Sequence, residues 1–186
     1  PRDRRISPYV QMHAYANRYV RLINYNTLGL QEDVQLGHDV YLRLYPAFEP
    51  LSTRDLLGVF ASVGYTMHSR GALLRAVASS EVEYAGAGRS DVTISAGAHF
   101  VTPDVGFGRF VYDWDLVQSP VQYTPAYYVL GGTSRLRGYS TSELYGTGRV
   151  VFNHEFRSRP VRLFSVLAGL AVFHDVGSVF FDDFRG

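Results

Sequence analysis

From Pro8 onward the chain alternates: Val10, Met12, Ala14, Ala16, Val20 and Leu22 occupy even positions, with Arg18 the exception. The odd positions carry Tyr9, Gln11, His13, Tyr15, Asn17, Tyr19 and Arg21. A repeat of two predicts a strand with one apolar face and one polar, aromatic-rich face. After Asn26-Thr27-Leu28-Gly29 the pattern resumes, with Val34, Leu36, Val40, Leu42 and Leu44 opposite Gln35, Gly37, Asp39, Tyr41, Arg43 and Tyr45, until Pro46 and Pro50 end it. A third strand, about Asp55 to His68, sets Leu57, Val59, Ala61, Val63, Tyr65 and Met67 against Gly58, Ser62, Gly64, Thr66 and His68.

Gly71 to Glu81 is rich in alanine and suits either a helix or a strand. Its strand neighbours favour a strand, with Leu74, Ala76, Ala78, Ser80, Val82 and Tyr84 opposite Arg75, Ser79, Glu81 and Glu83. Gly86-Ala87-Gly88 turns the chain into Val92, Ile94, Ala96, Ala98 and Phe100 against Asp91, Thr93, Ser95, Gly97 and His99. Phe110, Tyr112, Trp114 and Leu116 then face away from Arg109, Asp113 and Asp115, and a long loop runs from about Gln118 to Leu144. Two further strands follow: Val150, Phe152, His154 and Phe156 opposite Arg149, Val151, Asn153, Glu155 and Arg157, and Val172, His174 and Val176 opposite Phe173, Asp175 and Gly177.

About eight antiparallel strands in a meander are therefore predicted, and no stretch carries the caps and period of a convincing helix. Expected lengths of about 10 to 14 residues exceed the usual five or six of strands in water-soluble sheets and match tilted membrane strands. The fold class expected is all-β, an antiparallel transmembrane β-barrel meander with about eight strands present of a probable sixteen. The face with Val150, Phe152 and Phe156 is expected to meet lipid, so that lysine at Phe152 costs more than lysine at Val151.

Composition leaves that expectation open. Apolar residues make up 46% of the 186, enough for a core, and no apolar run reaches the roughly 18 residues of a spanning helix. Fourteen tyrosines and 12 phenylalanines beside one tryptophan suit interfacial aromatic girdles. A net charge of +1 with scattered basic residues gives no footprint for nucleic acid, and zero cysteines removes disulfides and thiolate metal sites. No secretion signal is visible at Pro1, so an exported protein would be represented by a mature or excised piece.

The chemistry concentrates in the long loop, at Leu130-Gly131-Gly132-Thr133-Ser134-Arg135-Leu136-Arg137-Gly138-Tyr139. Glycines at 131, 132 and 138 permit a reversal that presents Arg137, whose fork of donors suits Glu155 and Asp175 on the two strands that follow. A wide connection between those strands, about Ser158 to Leu167, would put residues 155 and 175 opposite each other. A tight turn at Arg159-Pro160 would separate them. No nucleophile stands beside a base, Gly132 to Leu136 lacks the last glycine of a nucleophile elbow, and His154 and His174 alternate away from the carboxylates. No catalytic residue, cofactor or metal is therefore expected. Asp113 and Asp115 share a face and suit acid-base work or a charged rim, and Asp182-Asp183 reads as a solvated loop.

The order Gly-Gly-x-x-x-x-Arg-Gly-Tyr, then Asn-x-Glu-Phe-Arg, then Val-Phe-x-Asp-x-Gly-x-Val resembles the C-terminal barrel of the BamA/TamA outer-membrane assembly-factor superfamily, the bacterial surface antigen proteins. The resemblance covers mainly Leu130 to Phe180. It implies a lumen loop with Arg137, Gly138 and Tyr139, salt-bridged to Glu155 and Asp175, in an outer-membrane barrel that assists insertion or translocation of polypeptides. Residues 1–186 would be a single segment of that barrel without its periplasmic POTRA domains, and its partners would be outer-membrane lipid, client polypeptides and periplasmic proteins. A passive outer-membrane pore or structural barrel, and a soluble β-barrel ligand binder or enzyme, are the alternatives.

Overall fold

The computed structural model describes residues 5–27, 29–49, 51–86, 89–132 and 135–181. Thr133 and Ser134 of the loop, Leu28, Pro50, Ala87, Gly88 and the Asp182-Asp183 pair lie outside them. The strands are β1 (Val10–Tyr15), β2 (Arg18–Ile23), β3 (Gln31–Ala47), β4 (Leu56–Ser69), β5 (Ala72–Tyr84), β6 (Ser90–Val101), β7 (Gly108–Val121), β8 (Tyr128–Leu130), β9 (Leu144–Gly146), β10 (Gly148–Ser158), β11 (Val161–Leu163), β12 (Val166–Ala168) and β13 (Ala171–Phe180). The alanine-rich segment is thus a strand, β5.

The main sheet is an antiparallel meander in the order β1-β3-β4-β5-β6-β7-β10-β13, with β2 also on β3. Small two-stranded pairs, β8 with β9 and β11 with β12, sit in the two longest late connections. Strand order begins at β1 and ends at β13, and among the described residues these two are not hydrogen-bonded to each other. The sheet is open. The transmembrane β-barrel meander expected above, about eight strands of a probable sixteen, is corrected accordingly. Long alternating strands belong equally to any two-faced antiparallel sheet, whereas closure needs the last strand to pair with the first, which periodicity does not encode. No helix among the described residues is long and apolar enough to cross a membrane.

The two faces are chemically distinct. One carries the apolar side chains, at odd positions on β4 and even positions on the neighbouring strands, and leaves many of them exposed, including Val63, Tyr65 (58%), Met67, Tyr112 and Phe152 (42%). The other carries the polar side chains and is where chain folds back. Along Gly37–Ala47, β3 pairs with β4, but along Gln31–Leu36 it pairs only with β2. At the boundary Gly37 adopts φ of 97°, and a Cβ there would stand 2.6 Å from that of Ala16. Beyond it the β2–β3 hairpin packs Leu22, Leu36, Val20 and Val34 on Leu73, Val101 and Val111, which rise from the polar face. A continuous first strand was expected. Its break after Tyr15 lets this hairpin form a second layer over part of the sheet.

Candidate binding face

The loop between β8 and β9 is held down by Arg137. Its backbone N–H and Nε donate to Asp175 Oδ2 at 3.0 and 2.8 Å, Nη2 donates to Asp175 Oδ1 at 2.8 Å, and Nη1 donates to Glu155 Oε2 at 3.0 Å. The guanidinium also lies 3.8 Å from the centre of the Phe173 ring. Asp175 is only 3% exposed, whereas Arg137 keeps 39% of its surface. The fork to Arg137 pulls the Asp175 carboxyl down to about 2, against its burial, and Asn153 helps by donating to Oδ1 at 2.8 Å. The Asp175 bonds in turn raise Arg137 above its ordinary value. Burial pushes Glu155 up, but Arg157 and Arg137 outweigh it and hold that carboxyl low.

Local geometry explains the glycines. Gly131 has φ of 125° with a Cβ position 2.1 Å from the Ser140 carbonyl, and Gly138 has φ of 90°. Gly132 N–H donates to the Tyr139 carbonyl at 3.0 Å, which closes the loop on itself while the Tyr139 side chain stays exposed. Leu136, between the two arginines, is buried with Leu130 and Val151. That buried leucine separates Arg135 from Arg137: among the described residues the ion pair of Arg135 is with Asp115, at 3.9 Å.

Between β10 and β13 the connection is the wide one, closed by Ser158 N–H donating to Leu170 O at 2.8 Å and filled by the β11–β12 hairpin. Asp175 faces Asn153, and Glu155 faces Phe173. The expected register is thus displaced by two residues, which preserves the face of every side chain. Arg137 bridges the offset diagonally. His154 and His174 lie on the opposite face with ring centres 5.8 Å apart. Asp113 and Asp115 do share the polar face but serve different partners, His99 and Arg149.

A row of polar residues crosses the sheet through register alone: Thr66, Arg75, His99, Asp113, Asn153 and Asp175 are successive cross-strand neighbours. His99 Nδ1 lies 2.8 Å from Asp113 Oδ1. Burial pushes the Asp113 carboxyl up, yet the hydrogen bond to His99 and the charges of His99, Arg135 and Arg157 hold it below its ordinary value. A carboxylate only accepts, so Nδ1 donates. The other ring nitrogen, Nε2, is buried and has no hydrogen-bond partner among the described residues. Above this row lies a cavity of about 540 Å³, walled by Glu32 to Gln35 of the hairpin and floored by Ser62, Gly64, Thr66, Arg75 and His99. A second hollow of about 200 Å³ adjoins it, sharing Arg75, Val77 and His99 and reaching Asp115 and Arg135. The Arg75 side chain forms no ion pair or hydrogen bond among the described residues.

Sequence reasoning placed His99 and Arg75 on the polar face but did not single them out. Their meeting depends on the β5–β6 register, which a turn spanning Ala85 to Arg89 sets and alternation leaves open. The orphaned Nε2 has no sequence signal at all. Among the described residues no group of three or more His, Asp or Glu side chains is placed to hold a metal.

No family model, no curated protein and no solved structure matches the chain. The resemblance to the BamA/TamA superfamily is therefore withdrawn. Its motif residues do meet, but a guanidinium on two carboxylates is a local solution that any loop folded over a polar sheet face can reach. The outer-membrane location, the role in polypeptide insertion or translocation, and the lipid, client and periplasmic partners rested on that resemblance and on a transmembrane barrel. They are withdrawn with it.

Proposed function

We propose that this chain is a non-catalytic binding module whose polar sheet face receives a small polar ligand in the hollow beneath the β2–β3 hairpin. One observation carries the reading: the 540 Å³ cavity has the buried, unpartnered Nε2 of His99 and the unpaired Arg75 on its floor. A cavity of this size suits a small molecule, and convergent polar groups inside it orient a ligand. A buried donor or acceptor without a partner costs about 1 to 3 kcal/mol, so a ligand that satisfies it gains that much selectively. The Arg137 anchor holds the segment whose Arg135 lines the adjoining 200 Å³ hollow. On the same face Ser79 and Ser95 hydrogen-bond to each other at 2.7 Å, and among the described residues His99 is hydrogen-bonded to Asp113 and to no hydroxyl.

Thermal shift against a panel of sugars, amino acids and organic acids tests this. A hit should raise the melting temperature of the native chain, lose that effect in His99→Ala and Arg75→Ala, and be recovered chemically unchanged. No hit in the native chain, equal shifts in both variants, or turnover of the hit would overturn the reading.

A further inference from the structure

A second cavity, of about 280 Å³, opens under the turn that follows β2 and shares Asn26 of that turn with the 540 Å³ hollow. Three arginines enter it, Arg109, Arg157 and Arg159, with two carboxylates, Asp104 and Glu155. Both carboxylates are already engaged. Asp104 accepts from Arg159 Nε at 2.7 Å and from the Gly106 N–H at 2.8 Å. Glu155 accepts from Arg157 Nε at 2.6 Å on one oxygen and from Arg137 on the other. Arg157 further donates through Nη1 to the Tyr25 carbonyl at 2.8 Å.

Arg109 feels the charge of Asp104, but that carboxylate spends its hydrogen bonds on Arg159 and Gly106. Arg109 is the direct cross-strand neighbour of Arg157, and like charges placed opposite each other on adjacent strands repel. Its guanidinium lies 4.1 Å from the centre of the Tyr25 ring, which accommodates the cation's face but offers no acceptor to its edge. Nη1 is buried, and no described residue accepts a hydrogen bond from it. The remaining wall is uncharged, formed in part by Pro160, Leu170 and Ala171. An excess guanidinium with a free donor, a flat aromatic on one side and an apolar wall beyond together define the occupant.

We propose that this cavity binds a small organic carboxylate, its two oxygens taken by the Arg109 fork and its carbon portion laid against Pro160 and Leu170. A carboxylate matches the fork in two parallel hydrogen bonds and relieves the Arg109–Arg157 repulsion. The site shares Asn26 with the hollow over His99 but none of its charged residues, and either assignment can stand without the other.

The test is titration of the native chain with acetate, benzoate, inorganic phosphate and chloride at matched ionic strength, following by NMR the backbone amides of Gly108, Ser158 and Ala171 in the cavity wall, in the native chain and in each variant. Benzoate and acetate should give saturable shifts, benzoate at lower concentration, and chloride none. Arg109→Gln should weaken benzoate about tenfold or more, while Arg162→Gln, on the exposed β11, should leave it unchanged. Absence of saturation by either carboxylate in the native chain overturns the site, including where Arg109→Gln fails to fold. Equal binding by Arg109→Gln overturns the role of Arg109, and tighter binding of phosphate than of benzoate overturns the carboxylate assignment.

Discussion

At the scale of single residues the decisive asymmetry is between Asp175, 3% exposed, and Arg137, which keeps a side open to water. Removing the cation leaves a buried carboxylate with Asn153 as its remaining side-chain donor. Arg137→Ala should therefore cost about 2 to 3 kcal/mol in urea unfolding, whereas Arg135→Ala, which loses one long contact to Asp115, should stay within about 0.5 kcal/mol. The same pair predicts an acid transition. Folding holds the Asp175 pKa near 2, below an ordinary value of about 3.9, so between those values the unfolded chain binds more protons. The stabilisation is complete above about pH 5 and is lost as pH falls toward 2, by about 2 kcal/mol in all. Urea midpoints from pH 6 to pH 2 check it: Asp175→Asn should flatten that part of the profile, and an unchanged profile would remove the linkage. Arg137 and its two carboxylates were legible in the sequence because all three stand out against glycine-rich or apolar surroundings. His99 and Arg109 were not, since what distinguishes them is a missing partner, a property of the folded neighbourhood alone.

Among the elements, the β2–β3 hairpin departs most from its sequence pattern, and Gly37 is the cause. Alternation runs through it undisturbed, Val34 and Leu36 matching Val40 and Leu42 in parity, so the period predicts one straight strand. What bends the strand is a single φ of 97°, which glycine adopts readily and a β-branched residue does not. Gly37→Val should cost about 1 to 3 kcal/mol and release the hairpin from Leu73, Val101 and Val111. Amide exchange across Arg18–Leu36 should then accelerate more than exchange across β5 and β6. Gly64→Ala is the control: it lies in regular strand, and its added Cβ would meet nothing closer than 3.6 Å. If both substitutions speed exchange equally, the hinge assignment fails. Strand existence and facing were readable throughout because both follow from a period of two. Register was not, as the two-residue offset between Glu155 and Asp175 illustrates, because it depends on how many residues the β11–β12 hairpin consumes.

For the whole molecule, the separation of faces decides where charge is tolerated, and it reverses one expectation. A lipid-wrapped barrel would make lysine costlier at Phe152 than at Val151. In the open sheet Phe152 is 42% exposed on the uncovered face, beside His154 and Phe156 in sequence, whereas Val151 is fully buried under Leu130 and Leu136. An ammonium at 152 can reach water along its own stem. One at 151 must either displace the loop that Arg137 anchors or remain in an apolar pocket, and both are costly. Val151→Lys should therefore destabilise by about 3 kcal/mol or more, and Phe152→Lys by less than about 1 kcal/mol. Because the uncovered face spans the sheet, Phe152→Lys should also reduce binding of an apolar fluorescent dye, while Val151→Lys should raise it by loosening the loop. Urea unfolding and dye fluorescence on the same preparations decide the matter: a larger loss at 152 than at 151 would mean that the apolar face is covered after all, and the open two-faced sheet would have to be abandoned.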